Sequence, residues 1–169
     1  RVQGNALLIP MRNSVRELKS LQFILPDSSK RFLKDGAIKG TYHGIGKPNG
    51  TLLICEGYST AASLYEATGY AVACAFNAGN IMSVAQTIRG KYPNLKIIMC
   101  GDNDMNSEGN TGVTKATEAA KSIKAHLDIP KFKDTTGGAS DFNDLATIEG
   151  KRVARQQMDS AVIVQAAQQ

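Results

Sequence analysis

The feature that most constrains the fold is an alternation of short apolar runs and helix-like segments from Gly50 onward. Such alternation predicts right-handed crossovers and a parallel sheet. The apolar runs lack the in/out alternation of a half-exposed sheet, so we expect helices on both faces. We therefore predict an α/β fold with strands in TLLICEG, YAVACAFN, LKIIMCG and IPKFKD, and helices in STAASLYEATG, NIMSVAQTIRGKYP and TGVTKATEAAKSIKAHLD. The first helix is expected to be capped by Ser59 or Thr60 and to end at Gly69, and the second to be capped by Asn80.

Residues 1–49 have a different pattern and predict a small antiparallel, β-rich subdomain. Its strands are expected in NALLIPMRN, ELKSLQFILP and KRFLKDG, joined by turns at Asn13–Ser14 and Asp27–Ser28–Ser29. The Gly/Pro-rich segment GIGKPNG at 44–50 is interpreted as a connector rather than a phosphate-binding loop. It is the best candidate for the boundary between this subdomain and the α/β domain. The predicted units are therefore a basic subdomain at 1–49, the α/β domain at 50–150 and a helical tail at 151–169.

Composition limits the partners and the compartment. The chain has 169 residues, a formal charge of +5 and a pI of about 9.2, a basic balance that fits a polyanionic partner. The first residue is Arg rather than Met, so we expect a piece of a longer protein. Neither a signal peptide nor a membrane-spanning run is visible, which predicts no membrane association. The three cysteines lie in apolar runs without a C-x-x-C spacing, which indicates buried thiols in a reducing cytoplasm.

Carboxylates follow two of the predicted strands at the point where each strand ends. Glu56 comes directly after LLIC, and Asp102 and Asp104 follow IIMC. Ligands bind beyond the carboxyl ends of strands in an open parallel sheet. Close carboxylates repel one another unless a cation lies between them, and Mg²⁺ prefers oxygen ligands. The spacing therefore favours a divalent metal site about as strongly as it favours solvated loop acids, or an N-cap by Asp104 or Asn110.

A second acidic pair lies in GGASDFNDLA, where Asp141 and Asp144 are three residues apart. They would share one helix face if a helix begins near Ser140. Ser140 or Asp141 could instead cap that helix, and the position of Asp141 near the helix start also suits its charge. Asp144 lies one turn further along, so we favour it slightly as the member that completes the acidic site.

The segments LLICEGYSTAASL, GDNDMNSEGNTGVTKA and SDFNDL together resemble a TOPRIM domain, the module shared by bacterial-type primases, topoisomerases and some nucleases. The segment from LLIPMRN to LKDGAIKG is similar to the region that precedes TOPRIM in primases of phages and plasmids, including primase-helicases. The resemblance covers about residues 5–148. It implies that Glu56 acts as a general acid or base and that Asp102 and Asp104 bind metal. Asp141 and Asp144 match a downstream acidic motif of the same group.

The resemblance implies the catalytic core of a DNA primase, which makes RNA primers on a single-stranded DNA template from NTPs with Mg²⁺ or Mn²⁺. The N-terminal cations Arg12, Lys30, Arg31 and Lys34 are expected to hold template or triphosphate, although each is as readily an ordinary solvated cation. The expected further partners are helicase or other replication domains of a parent chain. The sequence has no Walker-type loop, so a helicase domain of the parent would lie outside this chain. The alternatives are a TOPRIM nuclease that uses the same acids, or a nucleic-acid-binding module without catalysis.

Overall fold

The computed structural model describes residues 1–104, 109–134 and 137–163. Its elements in chain order are β1 (Val2–Gln3), β2 (Ala6–Arg12), β3 (Leu18–Ile24), β4 (Lys30–Phe32), β5 (His43–Ile45), β6 (Thr51–Cys55), α1 (Tyr58–Thr68), β7 (Ala71–Cys74), α2 (Ala78–Lys91), β8 (Lys96–Cys100), α3 (Thr111–Ser122), β9 (His126–Asp128), α4 (Phe142–Ile148), α5 (Lys151–Asp159) and β10 (Val162–Ile163). The predicted α/β class with an antiparallel N-terminal part is confirmed.

The N-terminal strands form their own antiparallel sheet in the order β1-β2-β3-β4. The turn between β2 and β3 is held by Asn13, whose Oδ1 accepts a hydrogen bond from the Glu17 backbone N–H at 2.9 Å. Asp27 organises the next turn by accepting hydrogen bonds from the N–H and the hydroxyl of Ser29. These local bonds explain why polar residues in the sequence marked the turns correctly.

The second sheet has the strand order β10-β9-β8-β6-β7-β5 within the described residues. The inner strands β6, β7, β8 and β9 are parallel, and β5 and β10 pair antiparallel at its two edges. Strand β5 comes from the segment interpreted as a connector, so Gly44 and Ile45 are sheet residues. The division at residues 49 and 50 remains a prediction.

Helices cover both faces of the parallel strands. Leu53, Val72 and Ile98 face the core shared with α1, α4 and α5, and Leu52, Ile54 and their neighbours face the core shared with α2 and α3. Side chains alternate between the faces along each strand, and both faces are buried. This arrangement explains the continuous apolar runs in the sequence.

Two predicted elements near residue 125 are wrong. The third helix ends at Ser122 instead of continuing to Asp128, and the next strand is His126–Asp128 instead of IPKFKD. Lys124 has a φ of 52°, which breaks the helix. Pairing of His126 with Ile98 then makes the following residues a strand. Long-range pairing with β8 therefore outweighs local helix propensity here.

Two predicted caps are also wrong. Gly57 precedes α1 without a side-chain capping bond, although the helix does end at Gly69 with a φ of 71°. Asn77 caps α2 by accepting the Asn80 backbone N–H. The Asn80 side chain is buried, accepts the Gly40 N–H at 2.8 Å, and donates to the carbonyls of Thr41 and Ala75 at 2.9 Å. It therefore joins the end of the N-terminal subdomain to the parallel sheet.

The C-terminal tail contains a shorter helix than predicted. α5 ends at Asp159, and β10 then pairs with β9. The remainder of the predicted tail, residues 164–169, lies outside the described residues. Across the described ranges, no helix combines the length and the apolar character needed to cross a membrane.

Candidate active site at the carboxyl edge of the sheet

The strand order brings the predicted acids together. β6 and β8 are neighbouring parallel strands, and Cys55 pairs with Cys100 at their carboxyl ends. Glu56 follows Cys55 directly, and Asp102 follows Cys100 after Gly101. Both acids therefore leave the sheet at the same edge.

The charges of these acids act on one another. Burial raises the pKa of Asp102 to about 8, and Glu56, Asp141 and Asp104 add to this by repelling its negative charge. The pKa of Glu56 is also raised, first by burial and then by the charge of Asp104. The Ala78 N–H at the start of α2 donates to the Glu56 carboxylate and opposes that rise. We call Glu56, Asp102, Asp104 and Asp141 the acidic cluster.

Asp102 is held by close backbone packing. A Cβ on Gly112 would lie 2.4 Å from the Asp102 carbonyl oxygen, so the first turn of α3 can approach only because residue 112 is Gly. Asn103 extends the support by donating its N–H to the Ser140 carbonyl at 2.7 Å and accepting a bond from the Asn110 side chain. Asn110 is the N-cap residue of α3, but its side chain makes no capping bond.

The structure distinguishes between the two acids of the downstream pair. Asp141 caps α4 by accepting the Asp144 N–H at 2.8 Å, and its other oxygen accepts the Thr60 hydroxyl at 2.8 Å. The Asp144 carboxylate accepts the Ser140 N–H at 2.9 Å. Asp141 contributes to the raised pKa of Asp102, whereas Asp144 does not. The charge of Asp141 therefore acts on Asp102, which favours Asp141 over Asp144 as the member of the pair that joins the acids from β6 and β8.

The predicted cations occupy different places. Lys30 lies close enough to the acidic cluster for its charge to lower the pKa of Glu56 and Asp102. Phe32, two residues along the same face of β4, contacts Phe76 edge-on with ring centroids 6.3 Å apart. Arg31 is exposed on the opposite face of that strand.

No contact among the described residues links the other two predicted cations, Lys34 and Arg12, to the acidic cluster. Lys34 is exposed beyond the end of β4. Arg12 lies in a separate cleft and donates to the Arg16 carbonyl at 2.8 Å.

The acidic cluster has the donor chemistry of a hard-cation site. Asp102 Oδ1 is buried and has no hydrogen-bond partner, and its neighbours are further carboxylates. Within the described ranges, however, no three His, Cys, Asp or Glu side chains are arranged to enclose a metal on their own. An open set of oxygen donors fits Mg²⁺ or Mn²⁺, because Mg²⁺ keeps several waters and usually binds one or two carboxylates together with substrate phosphates.

Sequence reasoning missed the hydroxyl and amide groups that support the acids. The Thr60 hydroxyl binds Asp141, and the Ser63 hydroxyl donates to Asn143 at 2.8 Å. Both bonds join α1 to α4 across some eighty residues of sequence. The sequence signal was the Ser/Thr-rich start of α1, which resembled a local helix cap and gave no indication of its distant partner.

Comparison with known proteins places this edge in context. The family model described as Toprim domain matches residues 51–152. Two Escherichia coli proteins named DNA primase TraC are 35% and 34% identical over 139 residues, which is 77% of this chain. The chain spans only 13% and 10% of the lengths of these relatives.

Solved primase structures share the fold, and two of them serve as examples. The DnaG primase catalytic domain bound to single-stranded DNA has a TM-score of 0.65 at 16% identity, covering 94% of this chain and 52% of that one. The primase fragment of the bacteriophage T7 primase-helicase has a TM-score of 0.66 at 16% identity, covering 94% of this chain and 65% of that one.

Proposed function

The chain belongs to the Toprim family and is a relative of the DNA primases TraC, and we propose that it is the catalytic core of a DNA primase. Its reaction would be template-directed transfer of nucleotides to a growing RNA 3′-hydroxyl, with release of pyrophosphate. The observation that carries the proposal is the meeting of Glu56, Asp102, Asp104 and Asp141 at one edge of the sheet, with Lys30 beside them.

Toprim proteins generally depend on a metal ion, and we propose Mg²⁺ or Mn²⁺ here. Asp102 and Asp104 would hold it, with Glu56 and Asp141 around them. When bound, the ion would stabilise the negative charge that develops on the attacking and leaving oxygens. The unpartnered Asp102 Oδ1 and the mutual repulsion of the acids support this assignment.

The chain's own residues would divide the remaining tasks. Glu56 has a raised pKa and would accept the proton of the attacking hydroxyl, which is the task of a general base tuned towards neutral pH. Lys30 would bind a phosphate of the incoming nucleotide or the template, because its positive charge acts on the acidic cluster and lowers the pKa of Glu56 and Asp102. Asp141, fixed by Thr60 and by its bond to the Asp144 N–H, would keep its charge in one place.

One assay separates the three candidate activities. The chain is incubated with single-stranded template, NTPs and Mg²⁺ or Mn²⁺, together with the variant Asp102→Asn and the control Asp35→Asn, which changes an exposed carboxylate. New RNA products that disappear only in Asp102→Asn would support the primase. Shortened DNA would identify a nuclease, and bound but unchanged DNA would identify a binding module without catalysis.

The nucleic-acid contacts are tested separately by single-stranded DNA binding at increasing salt. We propose that affinity falls as salt rises and falls further in Arg31→Glu/Lys34→Glu, because phosphate contacts release counterions. The matched control is Lys121→Glu/Arg152→Glu, which reverses two exposed charges on α3 and α5. Equal losses in the two double variants would show that only the overall charge matters.

The further partners are also proposals. The T7 structure is a fragment of a primase-helicase, and the chain spans a small part of its TraC relatives. We propose that the parent protein carries helicase or other replication domains beyond this core.

A further inference from the structure

A cleft of about 740 Å³ lies away from the acidic cluster. It is lined by the start of β6 and β7, by β5, by the carboxyl-terminal end of α2 and by the turn between β2 and β3. Leu52 and Ala71 belong to the amino ends of their strands, whereas Glu56 and Asp102 follow the carboxyl ends. The cleft is therefore separate from the candidate active site.

The lining of this cleft is strongly cationic. It contains four cations, Arg12, Arg16, Lys47 and Lys91, and no carboxylate. None of the four forms an ion pair with a carboxylate in the part of the chain that the structure describes. Exposed cations that converge without counter-charges attract an anion.

The end of α2 does not cancel this attraction. Carbonyl groups at a helix carboxyl terminus are negative and would repel an anion. Arg89 and Lys91, however, place two positive charges in the last turn of α2, and these charges offset the carbonyl groups at its end. Lys91 donates to the Ser14 carbonyl at 3.0 Å and so ties the β2–β3 turn to the helix end. Both sides of the cleft are thereby fixed.

Glycine creates the open space in the cleft. Gly44 pairs with Ala73 in the sheet, and a Cβ on Gly44 would meet nothing nearer than the Tyr42 ring at 4.0 Å. Glycine inside a strand often marks a place where a ligand approaches the backbone. The half-buried rings of Tyr42 and Tyr92 also line the cleft and offer surfaces on which a base can stack. Its volume is within the usual range for small-molecule sites.

We propose that this cleft binds a nucleotide, with its phosphates against Arg12, Arg16, Lys47 and Lys91 and its base against Tyr42 or Tyr92. The nucleotide is either free or one unit of a single strand, since both present the same phosphate and base. The site does not require the acids of the acidic cluster. Failure of primer synthesis would therefore leave this proposal standing.

The test is calorimetric titration of the chain with ATP and with a short oligothymidylate in EDTA. Arg16→Gln/Lys47→Gln removes two charges from the cleft, and Gly44→Val fills its floor without changing charge. The control Lys121→Gln/Arg152→Gln removes two exposed charges elsewhere. We expect Kd to rise about tenfold in both cleft variants, because charge-assisted contacts and space are lost, and to change little in the control. Melting temperatures verify that each variant is folded.

Each outcome decides the proposal. Loss of ATP binding in both cleft variants supports a site for free nucleotides, and loss of oligothymidylate binding alone supports a site for a strand. The proposal is overturned if wild type binds neither probe, or if the cleft pair and the control pair lose affinity equally. It is also overturned if Gly44→Val binds as wild type does, because the ligand then lies outside the cleft.

Discussion

Asp102 should make the metal-free chain less stable as the pH rises, and Asp102→Asn should remove that penalty. The pKa of Asp102 is about 8, against an ordinary value of 3.8. Between these values the folded state binds a proton that the unfolded state has lost, so the free energy of unfolding falls with increasing pH. Because the shift is upward, the stabilisation is complete below the lower value and is lost by about pH 8.

The magnitude follows from the same two values. One pKa unit corresponds to about 1.4 kcal/mol, so the full difference would be about 6 kcal/mol. Part of the Asp102 side chain still reaches solvent, and screening reduces the repulsion from the other acids. We therefore expect Asp102→Asn to be more stable than wild type by about 1–3 kcal/mol at the alkaline end of the range.

Urea unfolding in EDTA at a series of pH values, monitored by circular dichroism, measures this difference. Asp102→Asn and wild type should have similar stability near the acid end and diverge as the pH rises, while the control Asp35→Asn should follow wild type. Added Mg²⁺ should stabilise wild type more than Asp102→Asn, because the ion favours the charged carboxylate. A stability difference that does not vary with pH, or a less stable variant at every pH, would refute the reasoning.

Three further predictions concern the supports of the site. Asp141→Ala should lower the free energy of unfolding by about 1–2 kcal/mol, because it removes a helix cap, and should also weaken Mn²⁺ binding. Asp144→Ala should lower stability without changing Mn²⁺ binding. Thermal melts and titration calorimetry measure the two effects, and equal Mn²⁺ affinities of the two variants would contradict the assignment. Gly112→Ala should cost about 1–3 kcal/mol in thermal melts, since its Cβ would overlap the Asp102 carbonyl, and a neutral result would contradict the packing. Asn80→Ala should lower the free energy of unfolding by about 2–4 kcal/mol in urea, because it leaves buried backbone groups unpaired. A decrease no larger than that caused by Asp35→Asn, an exposed substitution, would contradict this.

The position of the main acids could be predicted from the sequence because it follows from a general rule. Apolar runs that alternate with helices predict parallel strands, and parallel strands bring their carboxyl ends to one edge. Glu56 and Asp102 needed only that rule and the observation that each follows a strand. The turn at Asn13 was predictable for a different reason, because the hydrogen-bond partner of its side chain is only a few residues away.

The sequence could not predict groups whose partners are distant along the chain. Asn80 resembled a helix cap, but its bonds reach Gly40 and Thr41 in the N-terminal subdomain. Thr60 resembled another cap, yet its hydroxyl binds Asp141. The position of Lys30 beside the acids likewise depends on how the two sheets pack.

Strand β5 has a consequence for where the protein can be divided. The Toprim match begins at residue 51, but β5 at His43–Ile45 lies before it and pairs with β7, forming one edge of the sheet. A fragment that begins at Thr51 would leave the N–H and C=O groups on that side of β7 without partners. Bare strand edges of this kind recruit other chains. Such a fragment should therefore self-associate in sedimentation more strongly than the full chain does.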